Sequence, residues 1–288
     1  MSVPKIEVRD LTFSYSTLGE TYAAIENINL KIDKGELVGI IGHTGSGKST
    51  LIQHLNGLLK PEKGTVLIDG EDIFKKGCDL RKIRFKVGLV FQYPEYQLFE
   101  ETVYDDIAFG PKNMGLSEEE IDKRVREAAA FTGVEAYLGK SPFDLSGGQK
   151  RRVAIAGVMA MEPEILILDE PAAGLDPKGR DKILSEIKQY QREKGNTVLL
   201  VSHSMEDIAK LATKVLVMSG GKVFKYDTPE KIFSDAEEIE KIGLAVPQIT
   251  EVFEILKKHG IDTGKSIFSV EYAKNVLLSL LSKEGENA

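Results

Sequence analysis

The stretch LVGIIGHTGSGKST, Leu37 to Thr50, decides how the chain is read. Its first five residues are apolar without interruption, as a strand buried on both faces is. Gly42 to Ser49 then fits G-x-x-x-x-G-K-[ST], and the LIQHLNGLL that follows can start a helix. Strand, glycine-rich turn and helix in this order make a phosphate cradle. The glycines let backbone N–H groups turn inward without side-chain clashes, and the helix adds the positive end of its dipole. Gly42, His43, Thr44, Gly45, Ser46, Gly47, Lys48, Ser49 and Thr50 are therefore the candidate nucleotide-binding residues. Lys48 is expected to reach the β- and γ-phosphates as a point charge, and the Ser49 hydroxyl to ligate Mg²⁺. The motif implies a nucleotide and leaves a kinase, a GTPase and a transport engine open.

Working outward, EILILDE (Glu164 to Glu170) and TVLLVS (Thr197 to Ser202) are again apolar runs, separated by a helical pattern with Ile183, Ile187 and Tyr190 in phase and Gly195 as its stop. Strand, helix, strand predicts a parallel α/β core. Asp169, at the end of such a strand, can hold Mg²⁺, and Glu170 beside it can take a proton from an attacking water. No NKxD-type base reader is present for a GTPase, nor a second substrate lobe for a small-molecule kinase. From Lys5 to Ile32 the texture alternates apolar and polar residues around a loop at Thr17 to Thr21, which predicts half-buried antiparallel strands. Residues Ser117 to Ala160 read as a helical lobe, opened by Ser117 with Glu120 three residues on, the pattern of a capping box. After Asp227 three more helical stretches follow. In one, Ile249, Val252, Phe253 and Leu256 share a face; in the last, Ala273, Val276, Leu277, Leu280 and Leu281 do. For that last helix, packing on its own chain and contact with another subunit both stay open.

Composition narrows the partners. A net charge of -7 over 288 residues argues against a protein that coats nucleic acid. A single cysteine, Cys78, excludes a disulfide framework and a thiolate zinc site within the chain and fits a reducing compartment. The start, MSVPKIEVRD, has no signal-like apolar run, and no segment approaches the roughly 18 apolar residues that span a bilayer. A membrane role is expected to come through a partner.

A second anion site stands in LSGGQKRR, Leu145 to Arg152. Ser146, Gly147 and Gly148 open a helix whose free N–H groups and dipole end face outward, with nothing nearby in the chain to fill them. The set Gly42–Ser49, Leu145–Gln149, Asp169–Glu170 and His203 resembles the ATP-binding-cassette ATPases, over residues 5 to about 228. That resemblance implies a RecA-like parallel core with an antiparallel β subdomain and a helical subdomain at about residues 93–160, inside an ATPase domain of residues 1–228 followed by a helical extension, 229–288. It also implies that two cassettes stack head to tail, so that the signature residues Ser146, Gly147, Gly148 and Gln149 close on the ATP held by the neighbour. One at a time, it implies that Tyr15 stacks on adenine, that Gln92 touches Mg²⁺ or the water, that Asp176 lies at the dimer seam, and that His203 contacts the γ-phosphate and positions Glu170. The implied cofactors are ATP and Mg²⁺, with Ser49, Gln92 and Asp169 around the metal. In LVFQYPEYQLFEETVYDDIAFGPKNMG, Pro94, Gln97 and the AFGP-x-N run resemble the energy-coupling-factor and cobalt-type importer ATPases, and HTGSGKST with DEPAAGLDP resembles the second of their two paralogous ATPases. This implies an ATP hydrolase at the cytoplasmic face of the cell membrane, paired with a paralogous ATPase or a second copy of itself. Its further partners are a membrane scaffold (T) subunit and, through it, a substrate-binding membrane (S) subunit for vitamins, cobalt or nickel, with no nucleic acid. An ATPase of another importer branch and a soluble cassette regulator are the alternatives.

Overall fold

The computed structural model describes residues 3–17, 20–260, 263 and 267–285. Two sheets carry the fold. The first joins β1 (Ile6–Thr17), β2 (Glu20–Ile32), β4 (Lys63–Ile68) and β5 (Glu71–Asp72) in the order β2-β1-β4-β5, all antiparallel. Leu18 and Gly19, in the expected loop, lie outside the described residues. The second sheet has the order β10-β9-β3-β8-β7-β6, from β3 (Leu37–Ile41), β6 (Val87–Val90), β7 (Ile165–Asp169), β8 (Thr197–Val201), β9 (Lys214–Ser219) and β10 (Lys222–Asp227). All its pairings are parallel except that of β10. Every residue of β3, β6, β7 and β8 is buried, which is why these strands read as unbroken apolar runs.

Helices cover both faces: α1 (Lys48–Leu55), α2 (Leu80–Lys86), α6 (Pro177–Lys194) and α7 (Met205–Leu211) connect the strands. α6 is capped by Asp176 and ends at Gly195 in the left-handed conformation, with Ile183, Ile187 and Tyr190 buried as their spacing predicts. The helical lobe consists of α3 (Val103–Asn113), α4 (Glu118–Thr132) and α5 (Gly147–Met159), and so begins before Ser117. Ile107, Val125 and Val153 of the lobe share one buried cluster with Leu166 and Leu200 of the sheet. The capping box expected at Ser117 is only half formed. Ser117 accepts the Glu120 N–H at 3.3 Å, but the Glu120 carboxylate turns instead to Arg124 one turn on, at 2.7 Å. An (i, i+4) ion pair has displaced the reciprocal bond.

The tail divides. α8 (Pro229–Phe233) and α9 (Ala236–Lys241) bury Ile232, Phe233 and Ile239 in the main core. α10 (Gln248–Lys258), α11 (Val270–Gly285) and Ile267 between them make a smaller cluster of Phe253, Ile267 and Ala273, edged by Ile249, Leu256 and Val276. Val252, expected on the buried face of α10, is 47% exposed, and Leu277 of α11 is 39% exposed. The stripe is therefore narrower than the periodicity implies. The side chains of Leu280 and Leu281 lie outside the described residues. No described helix is long and apolar enough to cross a membrane.

Gly39 in β3 is a point of close packing behind the phosphate loop. A Cβ there would lie 2.6 Å from Ile208 Cγ2 and 3.3 Å from Ala212 Cβ, so α7 presses directly on the strand. Gly39→Val is expected to destabilise the fold by about 1–3 kcal/mol through overpacking. Urea unfolding checks this, and an unchanged midpoint would show that α7 yields freely.

Candidate functional site

Three neighbouring parallel strands end at one edge of the sheet, and each delivers part of the site. From β3 the chain runs through the glycine-rich loop into α1. From β7 come Asp169 and Glu170, and just past β8 comes His203. The Glu170 N–H donates to the Val201 carbonyl at 3.1 Å, which extends the β7·β8 ladder and pins Glu170 beside the end of β8. Glu170 holds φ 53°, a left-handed conformation that is costly for a non-glycine residue and that turns its carboxylate off the strand axis.

The residues converge on a cavity of about 430 Å³, within the range of roughly 300–1,000 Å³ usual for small-molecule sites. Tyr15, Thr44, Gly45, Ser46, Gly47, Lys48, Ser49, Thr50, Gln92, Asp169, Glu170 and His203 all line it. Gly42 and His43 do not, although their carbonyls accept the Lys48 ammonium at 2.6 and 3.1 Å. The four signature residues and Asp176 also lie off this cavity. Tyr22, Ala23 and Ala24 of β2 form a part of the wall that the sequence reading missed. Tyr22 faces Tyr15 across the β1·β2 hairpin, so only the strand register exposes its place.

The cradle suits phosphate. Gly47 precedes α1 with φ 98°, a conformation side chains disfavour, and a Cβ there would meet Ile25 Cγ2 at 2.7 Å and the Ala24 carbonyl at 2.8 Å. α1 has no side-chain cap and no acidic residue in its first turn, so its first N–H groups stay available to an anion. The buried Ser46 Oγ has no hydrogen-bond partner among the described residues. Ser49 Oγ donates to Asp169 Oδ2 at 3.2 Å, which joins an alcohol and a carboxylate as a hard-cation donor pair. Among the described residues no cluster of three His, Cys, Asp or Glu side chains could hold a metal unaided, so these donors fit an ion completed by phosphate oxygens. Gln92 is exposed at the cavity wall. Tyr15 is 42% exposed, with its hydroxyl 3.4 Å from Thr50 Oγ1 and its ring in a T-shaped contact with Phe13.

Charge is crowded here. Burial, and then the adjacent Asp169, push the Glu170 carboxyl up to about 7. Burial also raises Asp169, against the pull of Ser49 and Lys48, and lowers the Lys48 ammonium despite both carboxylates. His203 is lowered by burial and by Lys48, so the contact of its Nε2 with Glu170 Oε1 at 3.6 Å is one between a neutral ring and a carboxyl. That Glu170 oxygen is buried without a hydrogen-bond partner among the described residues. Glu170 lines the same cavity as Lys48, and its carboxyl can accept a proton there.

The second helix start is built differently. Ser146 Oγ accepts the Gln149 N–H at 3.4 Å while Gln149 Oε1 accepts the Ser146 N–H at 2.9 Å, a complete capping box. The expectation of wholly free N–H groups is thus corrected: this box occupies two of them and leaves those of Gly147 and Gly148. Gln149 is held further by donating to the Tyr137 hydroxyl at 2.9 Å. Asp176 is exposed and caps α6 through the Gly179 N–H at 2.8 Å.

A parallel core, a phosphate loop entering a helix, a carboxylate pair on the second strand over and a signature helix in a separate lobe define the ATP-binding-cassette class of ATPases. The family model described as ABC transporter matches residues 25–173. The chain is 57% identical to the energy-coupling factor transporter ATP-binding protein EcfA2 of Clostridium tetani, over 98% of this chain and 99% of that protein. It is 48% identical to the Bacillus cereus protein of the same name, over 99% of this chain and 97% of the relative. Among solved structures, cbiO1 from Clostridium perfringens, described as part of the ABC transporter complex cbiONQ, superposes with a TM-score of 0.75 at 41% identity, covering 88% of this chain and all of that one. A dimeric cassette, MJ0796, bound to ADP and Pi in a post-hydrolysis state, gives 0.71 at 33% identity, over 78% and 98% of the two chains. The chain belongs to the ABC transporter ATPases, and within them to the energy-coupling factor transporter ATP-binding proteins.

Two outcomes follow from this site. Lys48→Ala is expected to weaken ATP binding by about 10–100-fold, the worth of a charge-assisted contact, as read by equilibrium titration. The Glu170 carboxyl, raised from 4.5 to about 7, contributes full stability below its unfolded value and loses it as pH rises through 7. Glu170→Gln should therefore stabilise the nucleotide-free fold by about 1–3 kcal/mol at pH 8 and by nothing near pH 4. A gain independent of pH would show that the carboxyl is not strained by its charge.

Proposed function

We propose that this chain is an ATP-hydrolysing energy-coupling subunit of an importer for vitamins or for cobalt or nickel ions. It works at the cytoplasmic face of a membrane, paired with a paralogous cassette or with a copy of itself. As a member of its family it binds ATP and couples hydrolysis to transport within a multi-subunit complex. The observation that carries the pairing is geometric: Ser146, Gly147 and Gly148 offer an anion site on α5 that takes no part in the chain's own nucleotide cavity. A neighbour's γ-phosphate is the ligand that suits it. This fits a head-to-tail stack in which Asp176, exposed at the start of α6, lies along the seam.

In each cavity Tyr15 would carry the adenine, with Tyr22 beside it, while the loop N–H groups and Lys48 take the phosphates. Ser49, Asp169 and Gln92 would hold Mg²⁺, which when bound would supply neutralisation of the charge on the phosphate oxygens. Glu170 Oε1 takes the proton of the attacking water, and His203, 3.6 Å away, keeps that carboxyl oriented toward it. Because ATP favours the closed pair, closure and reopening can do work on a partner only by that difference in affinity.

The site of that work is a groove of about 380 Å³ on the lobe side, walled by Phe85, Leu98, Phe99, Phe109, Val158 and Met161. Phe99 and Phe109 are exposed, stacked edge to face with centroids 5.0 Å apart, and suit the coupling helices of a membrane scaffold subunit that carries the substrate-binding one.

Glu170→Gln with MgATP tests the pairing, by light scattering, alone and with a co-expressed paralogous cassette. Turnover is expected to fall by about 10²-fold or more, with ATP retained and a two-cassette particle trapped in one of the two mixtures. A monomer with bound ATP in both would overturn the reading. Ser146→Arg should block that particle while leaving ATP affinity in the same chain unchanged, and loss of that affinity would contradict action on a neighbour's nucleotide.

A further inference from the structure

Arg151 is an unusual place for a guanidinium. It lies on α5, past the signature residues, and is only 4% exposed. Its fork closes on Glu95, with Nε 3.2 Å from Oε2 and Nη2 3.0 Å from Oε1, and the remaining arm, Nη1, donates to the Ala173 carbonyl. Glu95 is itself nearly buried, its side chain 16% exposed. A buried pair of this kind is held only by complete geometry, because taking two charges from water costs several kcal/mol unless every donor is satisfied.

The three segments joined at this point each carry a part of the machine. Glu95 belongs to the short 3₁₀ turn Pro94–Gln97, which follows Gln92 and is entered through Tyr93 at φ 56°, a conformation needing support in a non-glycine residue. The same turn leads into Gln97, Leu98 and Phe99 on the wall of the apolar groove. Ala173 lies between Glu170 and Asp176, and its N–H donates to the Glu170 carbonyl at 3.2 Å. α5 itself begins at Gly147, capped by Ser146. A rigid, planar fork fixes the separation of the two loops it bridges, so that displacement of one must move the other or the helix between them.

We infer that Arg151 is a positioning residue that links the groove-side turn at Glu95 to the loop holding Glu170 and Asp176. Movement of the turn is thereby delivered to the proton acceptor and to the dimer seam through one side chain rather than through the whole lobe. The role of the groove as a docking place rests on the proposed function above; the link between the two loops does not.

The test uses Glu95→Gln, which keeps the acceptor oxygen and removes the charge, and Arg151→Lys, which keeps the charge and removes the fork. Hydrogen exchange is followed on the full chain alone, and steady-state hydrolysis on the two-cassette complex. Both variants are expected to speed exchange over residues 172–176 by about tenfold, and to lower kcat by about tenfold at unchanged KM. Peptides of β8 and α7 should keep their wild-type exchange. Arg151→Met should match or exceed these effects, with Arg151→Lys recovering part of the loss. If Arg151→Met does not fold, Glu95→Gln carries the test by itself. Unchanged exchange over 172–176 in both conservative variants would overturn the inference. So would acceleration spread evenly along the chain, which marks a merely structural ion pair, or a change confined to KM. The exchange readout involves no membrane subunit, so its failure is distinct from failure of the transport reading.

Discussion

Everything at the site depends on β8 being hydrogen-bonded between β3 and β7. Parallel strands joined by right-handed crossovers must all start and stop in the same sense, so their carboxyl ends share one edge. With β8 in the middle, the phosphate loop after β3 and the carboxylates after β7 stand two strands apart, with His203 between them. Neighbouring strands are about 4.8 Å apart, so that gap is near 10 Å, the scale of a phosphate group with its metal and water. The bond from the Glu170 N–H to Val201 carries the ladder past the end of β7 and sets the height of the carboxyl within the gap.

The same closeness explains the electrostatics. Two carboxyls, an ammonium and an imidazole meet in a half-dry cavity, and burial shifts each of them toward its neutral form. Lys48 answers by folding onto the carbonyls of its own loop. A polyphosphate with a divalent ion brings opposite charges of both signs to such a place, so substrate resolves a conflict that the fold sets up.

Much of this was legible in the sequence because its signals are local. The phosphate loop is a contiguous string, and Asp169, Glu170 and His203 are marked by the ends of apolar runs. What stayed hidden was long-range. Tyr22 could not be paired with Tyr15 without the hairpin register, and Arg151 meets partners 56 and 22 residues away in sequence, a pairing no spacing rule announces. The two Ser-x-x-Glu/Gln patterns show why local rules also misfire. At Ser117 the third residue is a carboxylate with Arg124 in reach, and it leaves the box; at Ser146 it is an amide whose other end is taken by the Tyr137 hydroxyl, and the box closes. The α10 stripe is narrower for a related reason, since periodicity counts apolar residues and cannot tell how wide a face the adjacent elements cover.

The closed box at Ser146 has a kinetic meaning as well. Because the first turn of α5 is fixed by its own two bonds and by Tyr137, the surface that the proposed pairing would offer to a second cassette is preorganised. Ordering entropy that a loose glycine loop would lose on contact has already been lost during folding. In the proposed pairing, encounter would then proceed without a search among loop conformers, and the lifetime of the pair would be left to the contacts that bind directly to nucleotide. A glycine-rich recognition segment is in this way made rigid by the two polar residues at its ends, while the glycines between them keep only the close approach that their missing side chains permit.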